Sequence, residues 1–284
     1  MGTAKEGSEL KINPIECRKL WHTYPGGFNA LKETDIDVST GEIVGIVGQN
    51  GSGKTTLVKH FNGLLKPSSG TVLINGIDTA EESVFDLSRH AGYVFQNPNH
   101  QLFATSVMSE LQFGPNNLGL SEDEVLARVE DTAELFQLQD VIMEHPLRLS
   151  FPLRKIVAMA SIYAMRPSIF ILDEPTTGQD HNGAAMVRKL VKQLHSEGNT
   201  VILVSHDMAL IAEVADRVVA MWAAEVIDSG TPREIFSSSA TLNKTMLKPP
   251  QVTQLSQRLQ DRVLPRITLT VDETIDALAK VADT

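Results

Sequence analysis

Cysteine is almost absent: Cys17 is the only one, so no intrachain disulfide can form and a reducing compartment is the expected home. A lone cysteine of this kind reads as a small apolar core residue. Long apolar runs are missing too. Nowhere do ~18 consecutive apolar residues occur, the length a helix needs to cross a bilayer, and the opening MGTAKEGSELK has no apolar segment of signal-peptide type. The chain is therefore expected neither to span a membrane nor to be exported. Positive charge is in deficit as well: 25 Lys and Arg stand against 35 Asp and Glu, a formal net charge of −10. Coating nucleic acid needs clustered cations, so no nucleic-acid partner is expected, and any phosphate site must be local. What is present is ordinary for a globular protein, 42% hydrophobic and 21% charged residues in a chain of 284. That excludes wholesale disorder and leaves room for one large α/β domain with a smaller extension.

Residues 1–9 read as a flexible lead, Ile12 to Trp21 alternates like a strand, and Tyr24-Pro25-Gly26-Gly27 reads as a turn. Glu42 to Val47 is a β-rich run leading into glycines, and Lys54 to Leu65 is helical until Lys66-Pro67-Ser68-Ser69-Gly70 stops it. Thr71 to Ile74, closed by Asn75-Gly76, looks like one arm of a hairpin in an antiparallel layer. Helical signals dominate from Pro98 to Met165, with Ser121 to Glu124 as a capping box ahead of Val125, Leu126, Val129 and Phe136. Strand-like Ile169 to Leu172 and Val201 to Val204 then flank a helix bearing Val187, Leu190, Val191 and Leu194 on one face. Such alternation implies a parallel sheet. After Phe236 the run SSSATLNKTMLKPP reads as a connector, and Asp272 to Ala282 as a short helix with Val271, Ile275 and Leu278 along one side. No internal repeat is present.

The chemistry concentrates at strand ends. Gly48-Gln49-Asn50-Gly51-Ser52-Gly53-Lys54-Thr55, followed by Thr56, fits G-x-x-x-x-G-K-[ST] between a predicted strand and a predicted helix. Glycines let backbone N–H groups face phosphate oxygens, Lys54 reaches the terminal phosphates, and Thr55 can ligate Mg²⁺. Binding and hydrolysis of ATP are expected. Ile169 to Leu172 ends abruptly in Asp173 and Glu174, one suited to hold Mg²⁺ and the other to polarise an attacking water; the pair could also merely cap the turn at Pro175. His206 closes the strand Val201 to Ser205, and Gln96 follows Tyr93-Val94-Phe95, both at the sheet edge where ligand crevices form. His22, His60, His90, His100, His145, His181 and His195 lack metal-ligand spacing and read as structural or exposed.

From about residue 10 to 240 this order of motifs resembles the ABC-type ATPases. The resemblance implies an α/β P-loop NTPase fold with a mostly parallel core sheet, an antiparallel β subdomain and a helical subdomain at about 98–165. It divides the chain into a nucleotide-binding domain, 1–240, and an extension, 241–284. It further implies that Tyr24 stacks on adenine, Gln96 is the Q-loop glutamine linking Mg²⁺ and nucleotide to a membrane partner, and Asp173 and Glu174 are the Walker B pair. Asp180 then belongs to the D-loop, and His206 senses the γ-phosphate. Taken alone, Tyr24 is as readily a core or turn aromatic. The implied place is peripheral, on the cytoplasmic face of the cell membrane.

Within that family, YVFQNPNHQLFATSVMSELQFGPNNLGLSEDEV is similar to the ATPases of energy-coupling-factor (ECF) transporters and their cobalt and nickel relatives. The Pro98 to Phe103 segment and the Phe113-Gly114-Pro115 turn carry this narrower match. It implies import of vitamins or metal ions with a transmembrane coupling subunit and a substrate-binding membrane subunit. The alternatives are the ATPase of a conventional ABC importer, a soluble ABC ATPase without transport, and a regulatory subunit that binds nucleotide without turnover.

The chain departs from its family at the LSGGQ signature, where Leu149-Ser150-Phe151-Pro152-Leu153 stands. A signature loop presents backbone N–H groups to the γ-phosphate bound by the opposite subunit. Pro152 has no N–H, Phe151 is bulky where glycine allows close approach, and Leu153 lacks an amide. Ser150 and the following helix start remain. A heterodimer with a second ABC ATPase subunit, holding one good and one poor site, is the expectation; drift toward inactivity is the competing one.

Overall fold

The computed structural model describes residues 12–259, 264 and 267–282; the lead expected at residues 1–9 lies outside the described residues. Alternating residues pair β1 (Ile15–Thr23) with β2 (Asn29–Val38), Ile15 opposite Val38. The turn between them is closed by the Gly27 N–H donating to the Tyr24 carbonyl. Next come the wholly buried β3 (Ile43–Gly48) and α1 (Lys54–His60). The helix expected through Leu65 stops at His60, because the chain turns there to bury Phe61 completely and Gly63 takes a φ of 73°. β4 (Ser69–Ile74) and β5 (Ile77–Asp78) form the expected hairpin, with positive φ at both Asn75 and Gly76, as a two-residue type I′ turn requires. These strands make an antiparallel sheet of order β2-β1-β4-β5. Cys17 is buried in it, and desolvation pushes its thiol pKa well up, as for a core residue.

The chain then runs through α2 (Val84–Ser88), β6 (Ala91–Val94), α3 (Val107–Asn117), α4 (Glu122–Leu135) and α5 (Phe151–Met165). The capping box at the start of α4 has both halves, and Val125, Val129 and Phe136 are buried, but Leu126 is exposed on the far side. Phe113-Gly114-Pro115 is not a turn; it lies inside α3. Pro115 falls in the last turn, and Gly114 lets α5 approach so closely that a Cβ there would come within 2.3 Å of Met165.

β7 (Ile169–Asp173), α6 (His181–Ser196), β8 (Thr200–Val204), α7 (Met208–Val214), β9 (Arg217–Trp222) and β10 (Glu225–Gly230) complete a six-stranded sheet ordered β10-β9-β3-β8-β7-β6, parallel except at β10. Both faces are covered. Ile171, Ile202 and Ile46 face the core shared with α1 and the antiparallel sheet, while Leu172, Leu203 and Val47 face the core under α5 and α6. Period-2 side chains buried on both sides explain why these strands read as continuous apolar runs.

After α8 (Pro232–Ser237) the expected connector is largely helical. α9 (Ser239–Thr245) forms because the Ser238 hydroxyl accepts the Thr241 N–H at 3.2 Å, and Leu242 packs on the core, so position 240 falls within a packed helix. α10 (Gln251–Leu259) and α11 (Val271–Ala282) follow, the latter tied back by Arg233 donating to Glu273 at 2.6 Å. Val271, Ile275 and Leu278 form the expected apolar side of α11, and it is exposed. Among the described residues no helix is long and apolar enough to cross a membrane.

Candidate functional site

The loop between β3 and α1 is shaped by two glycines that tolerate no side chain. A Cβ at Gly48 (φ 153°) would lie 2.4 Å from the Met221 carbonyl, and one at Gly53 (φ 103°) 2.6 Å from that of Ala30. Gly53 is also the N-cap of α1 and offers no capping side chain, so the first-turn N–H groups are left for an anion. Lys54 folds back beneath the loop and donates to the carbonyls of Gly48 at 2.7 Å and Gln49 at 2.9 Å. Its three donors leave one for a phosphate oxygen. Burial lowers its pKa, opposed by the charges of Glu174 and Asp173.

The carboxylates stand where β7 ends. Asp173 is buried, with Oδ2 accepting the Tyr93 hydroxyl at 2.7 Å and Oδ1 without a donor. Burial and the adjacent Asp173 charge push the Tyr93 pKa far up, so the hydroxyl stays a donor. Glu174 takes a left-handed φ of 52° while its N–H donates to Val204 at 2.8 Å. A non-glycine residue held there costs ~1–3 kcal/mol, a strain that clusters at functional sites. Its Oε2 accepts the Thr177 hydroxyl at 3.2 Å and the His206 N–H at 3.3 Å. His206 Nε2 lies 3.3 Å from Oε1, near enough for an ion pair but out of line for a hydrogen bond, so Oε1 has no donor.

These groups converge on one cavity of about 290 Å³, lined by Tyr24, Phe28, Ala30, Asn50, Gly51, Gly53, Lys54, Thr55, Thr56, Gln96, Glu174, Val204 and His206. Tyr24 sits at one end, its hydroxyl 3.3 Å from the Thr56 hydroxyl and its ring edge-on to His22. Gly48, Gln49, Ser52 and Asp173 are not among the lining residues. Asp180 stands apart and caps α6, accepting the Gly183 N–H at 2.8 Å. Ser150, Phe151, Pro152 and Leu153 are outside the cavity as well. A crevice at the ends of parallel strands, lined by a phosphate loop, a carboxylate and an imidazole, is built to bind and cleave a nucleoside triphosphate.

The family model described as ABC transporter matches residues 31–177. The chain belongs to the ABC transporter family. Its relatives include the energy-coupling factor transporter ATP-binding proteins EcfA2 of Caldanaerobacter subterraneus (42% identity, covering 92% of this chain and 94% of that one) and EcfA of Methanococcus maripaludis (39%, 91% and 95%). A second Caldanaerobacter protein, 40% identical over 245 residues, is longer, and this chain covers 43% of it. Among solved structures, cbiO1 of Clostridium perfringens, part of an ABC transporter complex, aligns with a TM-score of 0.72 at 34% identity, covering 86% of this chain and 99% of its own. An ATP-binding cassette dimer bound to ADP and Pi aligns at 0.70 and 26% identity, over 77% and 99%. As an ABC ATPase, the chain binds ATP and hydrolyses it.

Two parts of this ABC site escape a reading by motif. Tyr93 reads as one more apolar strand residue until its hydroxyl is seen on Asp173. Lys155 lies one turn beyond the signature position, fully buried, and its ammonium donates to the carbonyls of Glu174 and Thr177. A lysine beside Ile156, Val157 and Ala160, all buried, is the one local signal of it. The signature segment itself starts α5: Ser150 is the N-cap without a side-chain cap bond, and Pro152 sits in the first turn, where its missing N–H is tolerated. Phe151 packs on Gly178, and the Gln179 amide donates to the Pro152 carbonyl at 3.0 Å.

Proposed function

We propose that this chain is the ATP-hydrolysing subunit that energises an ECF-type importer of vitamins or metal ions, working on the cytoplasmic face of the membrane as half of an unequal ATPase dimer. The observation that carries the reading is the pairing of a nucleotide cavity lined by the phosphate loop, Glu174 and His206 with a signature segment, Phe151-Pro152-Leu153, poorly built to close a partner's cavity. Relatives named for energy-coupling-factor transporters support the transport class. In this reading Tyr24 stacks on adenine, the loop from Gly48 to Thr56 cradles the phosphates, Glu174 Oε1 takes the proton of the attacking water, and His206 holds the γ-phosphate end. Residues 1–240 form the nucleotide-binding unit and 241–284 its extension.

Mg²⁺ fits this site: Asp173 offers a buried oxygen without a donor, and the Thr55 hydroxyl and Gln96 line the adjoining cavity. Hard oxygen donors, few in number, suit a cation that shares its shell with water and phosphates. When bound, it neutralises phosphate charge.

Pro152 and Phe151 leave a partner's γ-phosphate short of N–H donors. Loss of one oxyanion donor costs about 2.7–4 kcal/mol in enzymes studied, so the site closed by this chain's signature is expected to turn over slowly or not at all. A groove of about 240 Å³ walled by Phe85, Phe103, Phe113, Ile162 and Met165, with Gln101 in its lining, supports docking of a transmembrane subunit there. The test is to purify the chain from membranes with whatever co-purifies, and to compare ATPase rates of the complex and the chain alone. Turnover in the complex and little in isolation is expected. Robust turnover by the chain alone would sink the unequal-site reading, and recovery without membrane proteins would sink the transport reading.

A further inference from the structure

Lys155 is a cation with no solvent exposure, placed where the second turn of α5 meets the segment after β7. Its ammonium donates to the Glu174 carbonyl and, at 3.2 Å, to the Thr177 carbonyl, gripping both ends of one tight turn. Inside that turn the Thr177 N–H donates to the Glu174 carbonyl at 3.2 Å, and the Thr177 hydroxyl donates to Glu174 Oε2 at the same distance. The turn therefore sets both the left-handed backbone of Glu174 and the direction of its carboxylate. Two further contacts join the same pieces: Phe151 on Gly178, and Gln179 to the Pro152 carbonyl.

We propose that Lys155 is a positioning residue, which holds the Glu174 carboxylate in its working direction and ties it to the signature helix of the same chain. A lysine buried for packing alone would be a poor choice, since desolvation disfavours its charge. Here burial lowers its pKa to about 8, and the Glu174 and Asp173 charges oppose that shift. A displacement of α5 at Lys155 is carried by the ammonium to the carbonyl of Glu174.

The inference rests on the role proposed above for Glu174, and the experiment separates the two. In the assembled complex with Mg²⁺-ATP, Lys155→Met should lower kcat on the order of tenfold to a hundredfold while KM for ATP stays within about threefold, because only transition-state alignment is lost. Lys155→Arg should recover most of that loss. In a Glu174→Gln background, Lys155→Met should add less than about threefold to the loss, since groups acting through one another are not additive. An unchanged kcat overturns the proposal, as does a parallel loss of kcat and ATP affinity, or a full additional loss in the Gln background. If the Met variant does not assemble, Thr177→Val on the exposed side of the turn replaces it: a kcat-selective loss supports the proposal and an unchanged kcat overturns it. A wild-type complex that hydrolyses no ATP would instead defeat the reading of Glu174 itself.

Discussion

Removing a single oxygen from Tyr93 should disturb the nucleotide site more than the size of the change implies. Tyr93 and Asp173 are 4% and 1% exposed, and their 2.7 Å hydrogen bond gives the carboxylate its one donor, because Oδ1 has none. Phenylalanine keeps the ring and its edge-on contact with Phe95, so little packing is lost. What is lost is a hydrogen bond to a charged acceptor, ~1.5–3 kcal/mol, with both oxygens of a buried carboxylate then unsatisfied. At roughly 2–4 °C per kcal/mol for a domain of this size, Tyr93→Phe should melt about 3–12 °C below wild type in EDTA. Mg²⁺-ATP should narrow that gap by giving Asp173 a new partner, and the Mg²⁺ concentration for half-maximal ATPase should rise several-fold. Thermal melts with ATP in EDTA and in Mg²⁺ measure the first two outcomes. A variant melting within 1 °C of wild type in EDTA, or a deficit indifferent to Mg²⁺, would refute the reasoning.

Lys54→Ala should weaken ATP binding ~10–100-fold, the worth of a charge-assisted contact, whereas Glu174→Gln should leave binding within about threefold and cut turnover at least ~100-fold; equal loss of binding in both would refute that division. His60 is fully buried, with Nδ1 2.7 Å from the Thr56 carbonyl, and desolvation lowers its pKa from 6.5 to about 4. Between those values the unfolded chain binds more protons than the folded one, so this contribution is complete above pH 6.5 and is lost as pH falls toward 4, at most ~3 kcal/mol. Urea melts across that window should show a shallower pH slope for His60→Gln, and an unaltered slope would count against it.

Local chemistry made much of the site legible. A glycine-rich loop needs positive φ and close backbone approach within a few consecutive residues, so Gly48 and Gly53 announce themselves in the string. Apolar runs buried on both faces mark parallel strands, and the polar residues Gln96, Glu174 and His206 that follow such runs line the crevice. The capping box at Ser121 and the turn at Asn75-Gly76 were legible in the same local way. Where reading failed, a tertiary contact outweighed the local signal. Burial of Phe61 ended α1 early, close packing against Met165 drew Gly114 and Pro115 into a helix, and packing of Leu242 on the core made a helix of an apparent connector.

The support of the carboxylates belongs to that second kind. Tyr93 and Asp173 are 80 residues apart, and Lys155 is 19 from Glu174; neither pairing has a spacing that a motif records. Each instead answers a demand set by the first residues: a buried carboxylate needs a donor, and a strained turn needs its carbonyls satisfied. The motif residues therefore predict that such partners exist without naming them. Lys155 also lies five residues after Ser150, on the helix whose opening turn departs from the family pattern. Phe151 and Pro152 also touch the segment following Glu174, so the start of this helix is mechanically connected to its own chain's carboxylate.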